Sequence, residues 1–187
     1  STVDPSPRLH PKLRDIFTSA EARHFTDEET PEMLQECPEL KELLECATEI
    51  REKDVKIINQ VVKEVYSQYP YEDHHQFATA KCPRDVRYVV SYAVHAMVAN
   101  DPAWFNDKIL IWLKTILQAF EFPARVAQPD SALFADEELE AKLKLLPQKT
   151  CSIFHMYYRL KQEMQKALKA EHYEMIAPYL QQAIDVL

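Results

Sequence analysis

Residues 50–69, IREKDVKIINQVVKEVYSQY, carry apolar side chains at intervals of three and four, the period of an α-helix with one buried face. Pro70 follows at once, and the residue before a proline is disfavoured in the helical conformation, so the helix should end there. The apolar positions are Ile50, Ile57, Ile58, Val61, Val62, Val65 and Tyr69. This segment is the best-defined helix of the chain.

Further helical patterns lie on both sides of this segment. They predict helices over 79–99, 104–120, 135–145 and 149–170, and a last one that ends at residue 187. Upstream, Thr30 is predicted as an N-cap with Pro31 in the first helical position, and Pro38 interrupts the pattern that follows. Pro83 has no N–H to donate, so we expect it in the first turn of its helix.

Glycine is absent from all 187 residues. Tight turns with positive φ, on which sheets and barrels depend, are normally supplied by glycine, so the chain favours helices joined by Pro, Asn and Asp turns. The same absence removes the glycine-rich phosphate loops of nucleotide-binding enzymes. Seven to eight helices of unequal length predict an all-α, globin-like fold with an N-terminal helical extension.

Charge and cysteine content narrow the function classes. Lys and Arg number 22 against 30 Asp and Glu, a net charge of −8, which disfavours a nucleic-acid partner. No long apolar run predicts a membrane span, and the N-terminal residues lack the apolar segment of a secretory signal. The cysteines lack Cys-x-x-Cys spacing, which favours a reducing cytoplasm over a disulfide scaffold or zinc site: Cys37, Cys46, Cys82 and Cys151.

Three segments are predicted along the chain: a flexible arm over 1–14, a helical extension over 15–45, and a globin-like body over 46–187. The extension sets apolar side chains among many acids, and a short helix pair has little core of its own. We therefore expect residues 15–45 to pack on another chain and give at least a dimer. The alternative is that the extension folds back on its own body.

The helix after residue 79 has a chemically unusual face. With Arg84 at zero on a helical wheel, Tyr88, Ser91 and His95 fall within about 40° of it, and Asp85 and Tyr92 lie beside them. A cation, a carboxylate, phenols and an imidazole suit a planar ligand with carboxylates and pyrrole N–H groups. Cys82, near the predicted helix start, should feel the positive end of the helix dipole as a thiolate. The alternative is a set of semi-buried polar residues between helices.

At these residues the sequence resembles the phycobiliproteins, the globin-fold light-harvesting proteins that carry linear tetrapyrroles (bilins). Their attachment segment is roughly Lys-Cys-x-Arg-Asp followed by a Tyr-rich helix, and the corresponding residues here are Lys81–Tyr88, KCPRDVRY. The upstream Tyr66–Tyr71, YSQYPY, resembles the end of the preceding helix of that family, and Tyr179–Leu187 resembles its last helix. The resemblance runs from about 46 to 122 and over the final residues.

The resemblance implies a role for each matching residue. Cys82 would form a thioether to a phycocyanobilin-like pigment, Arg84 would pair with a propionate, Asp85 would accept from the pyrrole nitrogens, and Tyr88 would pack nearby. It also implies a globin-like partner subunit, contact with a bilin lyase or reductase, and association with the thylakoid surface. The loop over 72–81 is shorter than in the family, which favours an alternative role in bilin synthesis or antenna turnover.

Other candidate sites are weaker. His95 could instead ligate haem iron, as helical histidines do in globins. The adjacent His74 and His75 are poorly spaced for a metal site, so none is expected, and no catalytic triad order stands out, so an enzyme is not expected. Trp104, Trp112 and Phe120 are expected in the core.

Overall fold

The computed structural model describes residues 10–70, 76–126 and 136–187, the side chains of 76–80 excepted. A 3₁₀ turn, Pro38–Leu40, precedes α3, and a π-helical segment, Asn106–Leu110, joins α5 to α6. The α-helices are α1 (Pro11–Ser19), α2 (Glu29–Glu36), α3 (Lys41–Gln68), α4 (Gln76–Ala99), α5 (Pro102–Phe105), α6 (Ile111–Gln118), α7 (Glu137–Leu145), α8 (Gln148–Ala167) and α9 (Ala170–Val186). With α5 to α6 counted as one, these ranges hold eight helices and no strand, which confirms the all-α, globin-like prediction.

The core forms where α3, α4, α8 and α9 pack against one another. Every apolar position predicted for residues 50–69 is buried, from Ile50 to Tyr69. The helix nevertheless begins at Lys41, nine residues earlier than predicted, because Leu44, Cys46 and Ala47 continue the same buried stripe. Helix α3 therefore runs without a break through the predicted boundary between residues 45 and 46.

The N-terminal residues pack on the body of their own chain. Helix α1 begins at Pro11, inside the segment predicted as a flexible arm, and its Leu13 is buried. The Phe17 ring centroid lies 5.0 Å from that of Phe25 and 5.2 Å from that of Trp104 in α5. Met33 is also buried. Four of the large apolar side chains in this segment are buried on their own chain and others are half-buried against the same core, which favours the alternative that the extension folds back. Packing of residues 15–45 on a second chain stays a prediction.

Helix α2 begins one residue before the predicted cap. The Glu29 N–H donates to Thr26 Oγ1 at 3.2 Å, and the Thr26 N–H donates to Glu29 Oε1 at 2.9 Å, which is a reciprocal capping box. The Thr30 hydroxyl donates instead to the Thr26 carbonyl at 3.1 Å. Thr26, and not Thr30, therefore sets the start of this helix.

Helix α4 starts at Gln76, so Pro83 lies in its interior and not in its first turn. Pro83 offers no N–H to the carbonyl four residues earlier, and the helix continues on both sides of this missing bond. After α4, Asn100 takes a positive φ of 51°, and the Asp101 side chain accepts from the Trp104 N–H at 3.3 Å. An Asn-Asp pair thus makes the turn that glycine usually provides.

Helix α6 leaves large apolar side chains on the surface. Trp104 is buried, but Trp112 is 62% exposed and Phe120 is 53% exposed, so the prediction that both lie in the core is wrong. Ile111, beside Trp112, is exposed as well. Helix α6 packs on the core along a narrow stripe, in which Leu113 is buried and Leu117 is half-buried. Across the part of the chain that is described, no helix is long and apolar enough to cross a membrane.

Candidate functional site

The unusual face of α4 divides into an open part and a covered part. Arg84, Asp85 and Tyr88 are exposed or half-buried, whereas Ser91, Tyr92 and His95 are buried. The division arises because residues 22–25, between α1 and α2, lie over the C-terminal half of this face. A ligand approaching α4 from solvent therefore meets only its N-terminal half.

Arg84 and Asp85 form an ion pair at the open end. Nη2 of Arg84 lies 3.0 Å from Oδ1 of Asp85, and the guanidinium stands 5.6 Å from the centroid of the Tyr88 ring. The two side chains are 52% and 43% exposed. Exposed ion pairs contribute about 0–1 kcal/mol, so a ligand could replace either partner at little cost. The three side chains predicted to meet a pigment here are in fact neighbours.

Cys82 is not the activated thiolate predicted from the helix dipole. It lies at the end of the second turn of α4, and the dipole acts within the first turn. Its Sγ packs 3.6 Å from Sδ of Met156 in α8. Burial raises the pKa of the Cys82 thiol to about 11, and the charge of Asp85 acts in the same direction, while a hydrogen bond with Tyr66 opposes them. Cys82 faces α8, away from Arg84.

His95 is enclosed in the core. Its exposure is 0%, and its Nε2 lies 2.9 Å from the carbonyl oxygen of Arg23. Rings surround it, with centroids 4.6 Å away for Phe25 and 5.9 Å away for the stacked Trp104. Burial lowers the pKa of His95 to about 3. The structure contradicts the haem alternative at His95, because no side of the ring is open to an iron atom.

Tyr92 is buried beside His95. It is 9% exposed, its ring meets that of His95 edge-on at 5.7 Å, and burial raises its phenol pKa. Tyr92 and His95 therefore support the helix from inside and present almost no surface to a ligand. Of the six predicted site residues, the open face keeps Arg84, Asp85 and Tyr88.

A buried polar cluster behind this face was missed by the sequence analysis. Asp54 of α3 is 0% exposed, and its Oδ2 lies 2.6 Å from Nε2 of His24. Its two oxygens also accept from Nε of Arg87 at 3.2 and 3.3 Å. The sequence contains one signal of this cluster: Asp54 falls four residues after Ile50, so the helical period places its carboxylate within the apolar stripe of α3.

A cleft of about 490 Å³ opens beside this cluster. Residues 22–28 form one side of the cleft, and α3 and α4 form the other. The lining includes four arginines, Arg23, Arg51, Arg84 and Arg87, together with Tyr88 and Ser91. Arg51 donates to the Phe25 carbonyl at 2.8 Å and pairs with Asp27. Cys82 does not line this cleft.

Comparison with known proteins assigns the chain to a family. A family model described as phycobilisome protein matches residues 18–128, which is more than half of the chain. The chain belongs to the phycobilisome protein family. The match takes in α2 to α6, and with them Cys82, Arg84 and Asp85 of α4. None of the curated proteins compared with this phycobilisome protein matches it.

Within the three described ranges, no group of three or more His, Cys, Asp or Glu side chains could hold a metal ion. His74 and His75 lie outside the described residues. Two histidines of the described helices are buried and have hydrogen-bonded partners: His155 Nδ1 lies 3.2 Å from the Tyr69 hydroxyl, and His172 Nδ1 lies 2.9 Å from Glu49 Oε1.

Proposed function

We propose that this phycobilisome protein is a non-catalytic pigment carrier, which binds a linear tetrapyrrole at the open end of α4. The observation that carries the proposal is the exposed Arg84–Asp85 pair, one turn from Tyr88, directly after Cys82 in the attachment order of the family. Arg84 would pair with a propionate, and Asp85 would accept from the pyrrole N–H groups. Both side chains are exposed enough to exchange their mutual bond for a ligand.

The pigment would be held by a thioether at Cys82. Addition of the S–H group across a carbon–carbon double bond of the bilin forms one C–S and one C–H bond, so it needs no oxidant and expels no leaving group. The thiolate is the nucleophile, and a pKa of about 11 leaves roughly one thiol in 10⁴ ionised at pH 7. Attachment without assistance should therefore be slow. This supports the proposal that a partner such as a bilin lyase assists it.

Coexpression with a bilin supply tests the covalent proposal. The protein is separated on a denaturing gel and stained with zinc, which makes attached bilins fluoresce. Fluorescence should be present in the parent chain and lost in Cys82→Ser. Cys151→Ser is the matched control, because that thiol is also half-buried and free. A fluorescent band that persists in Cys82→Ser would overturn attachment at Cys82. The lack of a fluorescent band in the parent chain when a lyase is present would overturn it as well.

A second candidate is a role in bilin handling or antenna turnover without a covalent bond. It is favoured by the burial of Cys82 against Met156, which keeps the thiol protonated. In this case Cys82→Ser would still bind bilin in a spectroscopic titration, and Arg84→Gln would weaken that binding. Loss of all bilin absorbance in Cys82→Ser would exclude this candidate.

We also propose assembly with a second globin-like subunit, as proteins of this family form oligomers. The exposed Ile111 and Trp112 side chains of α6 support it, because large apolar side chains on a surface are candidates for an association site. Light scattering should detect at least a dimer in the parent chain and a monomer in Trp112→Glu. Leu145→Glu, at the 86% exposed position on α7, is the control. Equal masses for parent and Trp112→Glu would rule out this face.

A further inference from the structure

We propose that the cleft between residues 22–28 and helices α3 and α4 binds a small organic oxyanion, a phosphate or a carboxylate, through Arg87 and Arg51. This site is distinct from the thiol, since Cys82 is not among the residues that line the cleft. The inference does not depend on the proposed pigment. Two features support it: guanidinium N–H groups that can still bind an anion, and the contacts that hold those guanidinium groups in place.

Arg87 is the best-placed ligand. Its Nε donates to both oxygens of Asp54 at 3.2 and 3.3 Å, and the side chain is 43% exposed. Within the described residues, no hydrogen bond uses Nη1 or Nη2 of Arg87. These nitrogens carry four N–H donors in a planar fork, which is the geometry that matches two oxygens of a phosphate or carboxylate.

Asp54 and His24 fix the position of Arg87. The carboxylate of Asp54 is fully buried and takes a bond from His24 Nε2 at 2.6 Å on the other side. A buried acceptor that lost the guanidinium would be left underpaired at high cost, so Arg87 stays where it is. Asp54 is thus a positioning residue, and the fork of Arg87 needs no reordering before a ligand binds.

Arg51 of α3 also lines the cleft and can bind the same oxyanion. It is anchored to the Phe25 carbonyl by Nη1, and its Nη2 pairs with Asp27, which is 82% exposed. Such an exposed partner holds an arginine weakly, so an incoming oxyanion can take its place. Arg23, by contrast, is held by both oxygens of Glu29 and stays outside the proposal.

Unused guanidinium donors and the size of the cleft favour a small anion. Each of the four arginines that line the cleft has a carboxylate partner, so an anion would bind through the Nη donors of Arg87 that Asp54 leaves unused. A volume of about 490 Å³ exceeds that of an inorganic ion and lies in the range of small-molecule sites. Tyr88 and Phe25 add aromatic surface for the body of such a ligand.

Titration of the pigment-free full chain tests the site. The probes are inorganic phosphate, pyrophosphate and succinate, with sodium chloride at matched ionic strength to remove general screening. Binding is followed by the thermal midpoint and by calorimetry. Binding of the phosphate probes alone would indicate a phosphate ligand, and binding of succinate alone would indicate a carboxylate ligand. Either result supports the proposal.

Variants locate the binding. Arg87→Lys keeps the charge beside Asp54 but loses the fork, and it should weaken binding about tenfold or more with an unchanged circular dichroism spectrum. Arg51→Gln should weaken it as well. Lys166→Gln, at an exposed cation on α8, should bind as the parent does. Equal affinity in parent and Arg87→Lys, or no binding of any probe up to about 10 mM, would overturn the proposal.

Discussion

Nε2 of His24 lies 2.6 Å from Oδ2 of Asp54, and this bond joins the loop after α1 to the middle of α3. Because a carboxylate only accepts, the imidazole must donate from Nε2. Arg87 of α4 holds the same carboxylate from the other side. A single buried charge therefore connects three parts of the chain that are remote in sequence, and it sits directly behind the cleft.

Asp54→Ala should destabilise the fold by about 3–5 kcal/mol, because it leaves the buried His24 donor and one face of Arg87 without their acceptor. Urea unfolding followed by circular dichroism measures this loss. Asp27→Ala, which removes the exposed partner of Arg51, is the control and should cost about 1 kcal/mol or less. Similar losses for both variants would contradict a structural role for the buried cluster.

Stability should fall as the pH drops below about 6.5, in part through His95. Burial lowers the pKa of His95 to about 3, whereas the unfolded chain takes up a proton near 6.5. Between these two pH values the unfolded state binds more protons than the folded state, so the free energy of unfolding rises with pH. The stabilising contribution of the neutral, buried His95 is therefore lost as the pH falls.

The variant His95→Phe should reduce this slope by up to about 1.4 kcal/mol per pH unit between pH 6 and 4. Urea unfolding at a series of pH values gives the slopes. Met33→Leu, at a buried position with no titratable group, should leave the slope unchanged. A parent-like slope in His95→Phe would show that His95 takes up its proton in the folded state as well.

Cys82 should react slowly with alkylating reagents in the folded protein. A pKa of about 11 lowers the thiolate fraction at pH 8 roughly a hundredfold or more relative to an ordinary cysteine. Peptide mapping by mass spectrometry after timed labelling gives the rate at each thiol, with the urea-unfolded protein as reference. The rate at Cys82 should keep rising up to about pH 11. A plateau near pH 8 would disprove the raised pKa.

Thr26→Ala should cost about 0.5–2 kcal/mol of stability, because it removes one half of the capping box that starts α2. Thr30→Ala tests the residue that the sequence favoured as the cap. It should cost less, since the Thr30 hydroxyl bonds only to a carbonyl of the preceding turn. A larger loss for Thr30→Ala than for Thr26→Ala would reverse this assignment.

The sequence by itself determined the helical class and the position of the main helix. The absence of glycine disfavours tight turns anywhere in the chain, and the apolar stripe from Ile50 to Tyr69 is a local property of one helix, visible without its partners. The Cys82–Asp85 motif was visible for the same reason, because its residues are adjacent along the chain. These features depend on neighbours only a few positions apart.

The tertiary structure alone decided which polar residues are buried and which side chains meet. On a helical wheel His95 and Arg84 share one face, but residues 22–25 cover the first and leave the second open. The extension packs on its own body because Phe17 reaches Trp104, a partner 87 positions away. His24, Asp54 and Arg87 likewise meet only through packing of separate elements, and burial at these contacts, not position in a helix, sets the pKa of His95 and Cys82.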